Sequence, residues 1–238
     1  MKTNTSSYID NYSDKENLYR KIRDDIIFLD IKPGERFSET SIATKLKAGR
    51  VAVREAITQL NEEGYVEVLP QKGTFVAKIN LEKIKQAAYA HTVLEQAIVE
   101  EILNRGLSKS EIDLLKNTLK AQKQEKEQNH IMNVILKEYQ ILYHLSTFCD
   151  RGFVWEVFRT LDSHLLRIQY LQYSTFVYQM QMSSLTNIEN SVLESSMLID
   201  NIMRGDKGNS LLIMSNRYTR IMWQAEMMKS IYPQYFSS

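Results

Sequence analysis

Three features of this 238-residue sequence predict a mainly α fold, with an N-terminal winged helix-turn-helix and a C-terminal antiparallel all-α bundle. The stretch Arg50-Val51-Ala52-Val53-Arg54-Glu55-Ala56-Ile57 opens a short helical pattern with two arginines four residues apart. Two apolar runs, 65–69 and 74–78, flank Pro70-Gln71-Lys72-Gly73 in the manner of a β-hairpin. Beyond Asn80 there is no proline until Pro233, and one amphipathic helical pattern follows another.

Residues 1–14 are polar and rich in Ser, Asn and Asp, which predicts a flexible N-terminus. From 15 to 29, Leu18, Ile22, Ile26 and Leu29 recur at helical spacing and stop before Lys32-Pro33-Gly34. Ser38 is suited to cap a second helix through Leu46, with Ile42 and Leu46 facing inward. Lys47-Ala48-Gly49 supplies the turn. A third helix is expected over 50–63, burying Val53, Ala56, Ile57 and Leu60, and Gly64 ends it. The hairpin then completes a DNA-binding domain over 15–79. Residues 80–238 form a second domain, with helices expected over 81–104, 108–129, 131–148, 153–178, within 187–204, and over 207–232.

Composition excludes several classes. The single cysteine, Cys149, rules out an intramolecular disulfide and a cysteine-rich zinc site. The N-terminus lacks the apolar core of a signal peptide, and no apolar run approaches the ~20 residues that span a bilayer. A soluble, cytoplasmic protein with no membrane partner is expected. Residues 1–80 carry 13 Lys and Arg against 12 Asp and Glu, so DNA affinity must come from local clustering at Lys45, Lys47, Arg50 and Arg54. Arg50 and Arg54 share one helix face and can reach guanine or phosphate, while Lys45, Lys47 and Lys72 suit backbone contacts.

These residues resemble the GntR family of bacterial transcription regulators. The family signature runs Pro-Gly-x-x-Leu-x-Glu, Leu-Ala, then Ser-Arg-x-Pro-Val-Arg-Glu-Ala-Leu. Here Pro33-Gly34-Glu35-Arg36-Phe37-Ser38-Glu39, Ile42-Ala43 and Arg50 to Ile57 occupy those places, and Gly73-Thr74-Phe75-Val76 matches the wing. The resemblance, over 18–78, implies DNA contacts at Arg50, Arg54 and Gly73. Gly49 replaces the usual Ser or Thr, and Thr40 stands where many relatives carry another DNA-contacting arginine. With Val51 offering apolar surface to thymine methyls, the operator sequence is expected to differ and binding to persist.

The helical remainder resembles, more loosely, the FCD effector domain of the FadR-like subfamily. Many such domains hold a divalent metal with an Asp and a His four residues apart and two later histidines. The corresponding positions here are Gln140, His144, Ser195 and Arg217, so three of four usual ligands are replaced and no metal or other cofactor is expected. Arg217 is instead a candidate anchor for an anionic effector group, and His91 a candidate to face the same cavity. Nine of the ten Met lie at or beyond Met132, among aromatics that include Tyr139, Tyr143, Trp155, Phe176 and Tyr178; they suit a bundle core and dimer face, or an apolar pocket.

The function expected is a homodimeric, ligand-responsive regulator, in family terms a repressor, on an inverted-repeat operator, its effector anionic or apolar. An effector-insensitive DNA-binding regulator is the alternative. An enzyme with a DNA-binding head is a third reading, but the sequence holds no phosphate loop, no Gly-x-Ser-x-Gly and no metal cluster.

Overall fold

In the computed structural model of the chain, the described residues are 14–175 and 185–237. They divide between Ala77 and Lys78 into two compact units. The flexible N-terminus expected over 1–14 lies, but for its last residue, outside the described residues. So do 176–178 of the fourth bundle helix, with Phe176 and Tyr178, and Met180 and Met182.

In the first unit, helix α1 (Asp14–Ile27) buries Leu18, Ile22 and Ile26, and packs on α3 (Arg50–Glu62) through Val53, Ile57 and Leu60. Leu29, expected inside α1, lies beyond its end with φ 61°. The Ile31 N–H returns to the Asp25 carbonyl at 2.9 Å and closes the helix before that last apolar position. Ser38 caps α2 (Glu39–Leu46) by accepting from the Ser41 N–H at 3.3 Å, and Lys47 ends it at φ 52°. Leu46, expected to face inward, is half-buried. Gly49 opens α3 from an extended conformation without a side-chain cap, which costs only a few tenths of a kcal/mol relative to Ser.

The wing has three strands, one more than the sequence pattern showed. The extra strand β1 (Arg36–Phe37) pairs antiparallel with β3 (Gly73–Val76), which also pairs with β2 (Val66–Leu69), in the order β1-β3-β2. Two residues are too few to display an alternating pattern. Only the partnering of Arg36 with Phe75 and of Phe37 with Thr74 marks them as a strand.

The second unit is helical: α4 (Leu81–Arg105), α5 (Lys109–Glu127), α6 (Ile131–Phe148), α7 (Gly152–Thr175), α8 (Asn187–Arg204) and α9 (Lys207–Ile231). Asn80 caps α4, and Asp206 caps α9. Ser108 and Thr186 form reciprocal capping boxes with Glu111 and Glu189 at the starts of α5 and α8. Helix α5 packs on α6, α4 on α9, and α8 on both α5 and α9. Their shared core includes Ile98, Ile102, Leu115, Leu142, Phe158 and Met214.

The residues that follow the head are fastened by the far end of the chain. Ile79 forms a parallel bridge with Phe236, donating to the Tyr235 carbonyl at 2.8 Å and accepting from the Ser237 N–H at 2.9 Å. Both side chains are buried. The Asn80 N–H donates to His164 Nδ1 on α7 at 3.3 Å, and Arg167 Nη2 lies 2.9 Å from the same nitrogen. Burial, then the Arg167 charge, push the His164 imidazole down to about 3, so it stays neutral and accepts through Nδ1.

Phe236→Ala leaves this bridge without its apolar cover. Hydrogen exchange should report roughly tenfold faster exchange at the Ile79 amide, with the amides of α5 unchanged.

Candidate functional site

The head presents its cations unevenly. Arg50 and Val51 are exposed on the first turn of α3, and Arg50 makes no hydrogen bond or ion pair among the described residues. Arg54, one turn on, lies 3.3 Å from Glu39 at the start of α2, beside the exposed Thr40. Such an exposed pair is worth at most about 1 kcal/mol and yields readily to a phosphate. Lys45 is drawn back onto α1, where the buried Asp25 takes both it (3.0 Å) and Lys21 (2.7 Å). Lys47 is exposed at the left-handed end of α2.

In the wing, Lys72 is exposed at the tip, and Gly73 adopts φ 106°, which L side chains rarely do. A Cβ on Gly73 would come within 3.3 Å of Arg36 Nε, so the Arg36 guanidinium lies against the wing backbone. Arg36 escaped the sequence reading because nothing local places β1 beside β3.

The second unit encloses a polar centre. His91 on α4 is fully buried, with Nδ1 2.9 Å from Glu95 Oε1 and Nε2 2.9 Å from Asp162 Oδ1 on α7, its ring stacked on Phe158 at 4.4 Å. Tyr139 donates to Asp162 at 3.3 Å, and Tyr218 donates to Glu95. Burial opposes an imidazolium here, but the Asp162 and Glu95 carboxylates outweigh it and raise the group to about 9.

Glu138 on α6 accepts from Gln169, Tyr173 and Ser191, and lies 3.4 Å from Arg217 Nε on α9. Arg217 is 2% exposed, and Glu194 on α8 stands 3.9 Å from the same nitrogen while binding Arg220 through both oxygens. Burial disfavours the Arg217 charge, yet Glu138 and Glu95 hold it ionised. The guanidinium is close enough to Glu138 for charge pairing but not aligned for a hydrogen bond. Arg217 Nε and Nη1, Ser195 Oγ, Glu95 Oε2 and His144 Nε2 are all buried without a hydrogen-bond partner.

The other predicted positions fall elsewhere. Gln140 is half-buried and accepts from Lys137 at 2.9 Å. His144 lies between the rings of Tyr143 and Phe148, lowered by burial and then by Lys137. Gln140 and His144 make no hydrogen bond or ion pair with Ser195 or Arg217. Among the described residues no group of three or more His, Cys, Asp or Glu could hold a metal ion.

Sequence reasoning missed Glu95, Glu138 and Asp162, which carry the centre's negative charge. The signal was present: Glu95 continues the buried row Ile84-Ala88-His91 towards Ile98 and Ile102, and Glu138 interrupts Val134-Ile135-Tyr139-Leu142. A carboxylate inside an apolar helix face must meet a buried cation or donor.

Residues 14–76 match the model of the bacterial regulatory proteins of the gntR family. The transcriptional repressor RspR of Escherichia coli K12 is 23% identical over 158 residues, 66% of this chain and 69% of that protein. Two solved structures share the fold with a TM-score of 0.71. The GntR regulator from Rhodococcus sp. RHA1 is 18% identical, over 90% of this chain and 98% of that one; E. coli McbR/YncC is 16% identical, over 94% and 100%. The N-terminal unit is a GntR-family helix-turn-helix domain, and the chain is a DNA-binding transcription regulator, not an enzyme. Among the described residues no helix is long and apolar enough to cross a membrane.

His91 gains affinity for its proton on folding, so its contribution to stability is complete below its unfolded value near 6.5 and is lost as pH rises towards 9. Both tryptophans, Trp155 and Trp223, lie in the helical unit and report its unfolding alone. Urea midpoints should fall between pH 6.5 and 9 by the equivalent of roughly 2–4 kcal/mol, and His91→Gln should flatten that slope.

Proposed function

We propose that the chain is a ligand-responsive repressor that binds an inverted-repeat operator as a homodimer in the cytoplasm. Residues 15–79 supply the DNA contact. Residues 80–238 act as an FCD-type effector and dimerisation domain without a metal. The observation that carries ligand response is Arg217, a buried cation whose Nε and Nη1 have no hydrogen-bond partner. Leaving such donors unmet costs about 1–3 kcal/mol each, more for a charged group, and an anionic ligand group relieves that cost. A divalent ion fits poorly, because a guanidinium, a hydroxyl and an amide replace its usual ligands and His144 has no carboxylate beside it.

The repressor reading draws on RspR, a transcriptional repressor. The dimer rests on DNA symmetry, since one head reading a few base pairs cannot supply operator specificity. Ligand response then requires the effector to bind two arrangements of the protein unequally.

Arg50→Ala and Arg54→Ala should each weaken specific operator binding by about 1–3 kcal/mol; if both bind as wild type does, α3 is not the recognition helix. Native mass spectrometry of the purified protein tests the rest. The expected species is a dimer with no metal and an organic adduct. One divalent ion per chain would restore a metal-dependent sensor. A bare dimer whose DNA affinity ignores every metabolite tried would favour the effector-insensitive alternative.

A further inference from the structure

The unpaired atoms at the polar centre are of two kinds, and the difference specifies more than an anion. Arg217 Nε and Nη1 are donors on a cation and Ser195 Oγ is a neutral hydroxyl, whereas Glu95 Oε2 is an acceptor on an anion. All three side chains are at most 2% exposed. Glu95 and Arg217 belong to one site: Tyr218, the neighbour of Arg217 on α9, donates to the other Glu95 oxygen, and the Glu95 carboxylate is among the charges that hold Arg217 ionised.

Charge balance selects between ligand classes. Glu95, Glu138, Asp162 and Glu194 face His91, Arg217 and Arg220, four carboxylates against three cations. A ligand carrying only a carboxylate adds a second uncompensated negative charge to a desolvated site. One carrying only an ammonium satisfies Glu95 but leaves the Arg217 donors unmet. Burying an unpaired charge is the costlier error in either case. A zwitterion adds no net charge and serves both partners.

The walls beside Glu95 are apolar. A cleft there is lined by Glu95 with Ile98, Leu142, Leu145, Phe158 and Met214, and as it stands it leaves no room for a water molecule. A ligand that entered would have to part α4 from α6, α7 and α9, the helices that supply those residues. Its body must therefore be apolar, to repay in buried surface what the parting costs.

We infer that the effector is an apolar α-amino acid, its carboxylate held by Arg217, its ammonium by Glu95, and its side chain lodged between Ile98, Leu142, Phe158 and Met214. This rests on the ligand-responsive reading above and adds the ligand's class to it.

The test titrates the full-length protein with L-leucine, L-methionine and L-phenylalanine, and with two truncated analogues of leucine: 4-methylpentanoate, which lacks the ammonium, and 3-methylbutylamine, which lacks the carboxylate. Calorimetry gives affinity, and an operator-binding assay gives the response. At least one amino acid should bind and change operator affinity, with both analogues at least tenfold weaker. Glu95→Gln, which keeps the side chain's shape, should reduce amino-acid affinity at least tenfold and, by removing one of the four negative charges, tighten 4-methylpentanoate binding.

If 4-methylpentanoate binds wild type as tightly as leucine does, Glu95 holds no ammonium and the inference fails. If 3-methylbutylamine does, Arg217 holds no carboxylate and it also fails. If none of the five binds while native mass spectrometry shows another organic adduct, the ligand class is wrong and ligand response stands. If nothing binds and no adduct is present, both fall.

Discussion

The helical unit is organised around enclosed charge. His91, Arg217 and Arg220 are matched by Glu95, Glu138, Asp162 and Glu194, and these residues come from five helices, α4, α6, α7, α8 and α9. A bundle held only by apolar contacts can slide by fractions of an ångström at small cost. One whose helices meet through buried ion pairs cannot, because separating a pair without replacing it costs about 3–5 kcal/mol. Small displacements are therefore penalised, and the alternative available is a discrete rearrangement in which the charges find new partners.

The same reasoning separates the cations of the head. Glu39 restrains Arg54 in water, where the pairing is weak and screened by salt. Asp25 restrains Lys45 and Lys21 from a buried position. Removing Lys45 from Asp25 leaves that carboxylate with one partner fewer, so the two cations are held to different degrees although both are exposed. With residues 1–80 nearly neutral overall, the field the head presents depends more on which charges are free to move than on their number.

Most of the head was legible because its determinants are local. The Ser38 cap, the glycine that opens α3 and the apolar spacing of Val53, Ala56, Ile57 and Leu60 lie within a turn or two of what they control. Strand β1 was not legible, since its partner lies almost forty residues away and it has only two residues in which to show itself. In the bundle the helices were plain, but the attention given to His144 and Gln140 followed a ligand pattern that this chain has replaced. Glu95 and Glu138, set into apolar helix faces, were the more informative signal. What no spacing could supply was their meeting with Arg217 and His91, which depends on how the helices pack.

The bridge between Ile79 and Phe236 also sets an order of events as the chain is made. Every backbone partner that the hydrogen bonds of α1, α3 and the wing require has been synthesised by Ala77, so the head can fold early, as N-terminal domains do. Ile79 finds its partners only when residues 235–237 leave the ribosome, after the whole bundle. Until then the nascent protein carries a finished DNA-reading module on an unfastened tether. The backbone pairing at the start of the helical unit is thus completed only after α9 has been made.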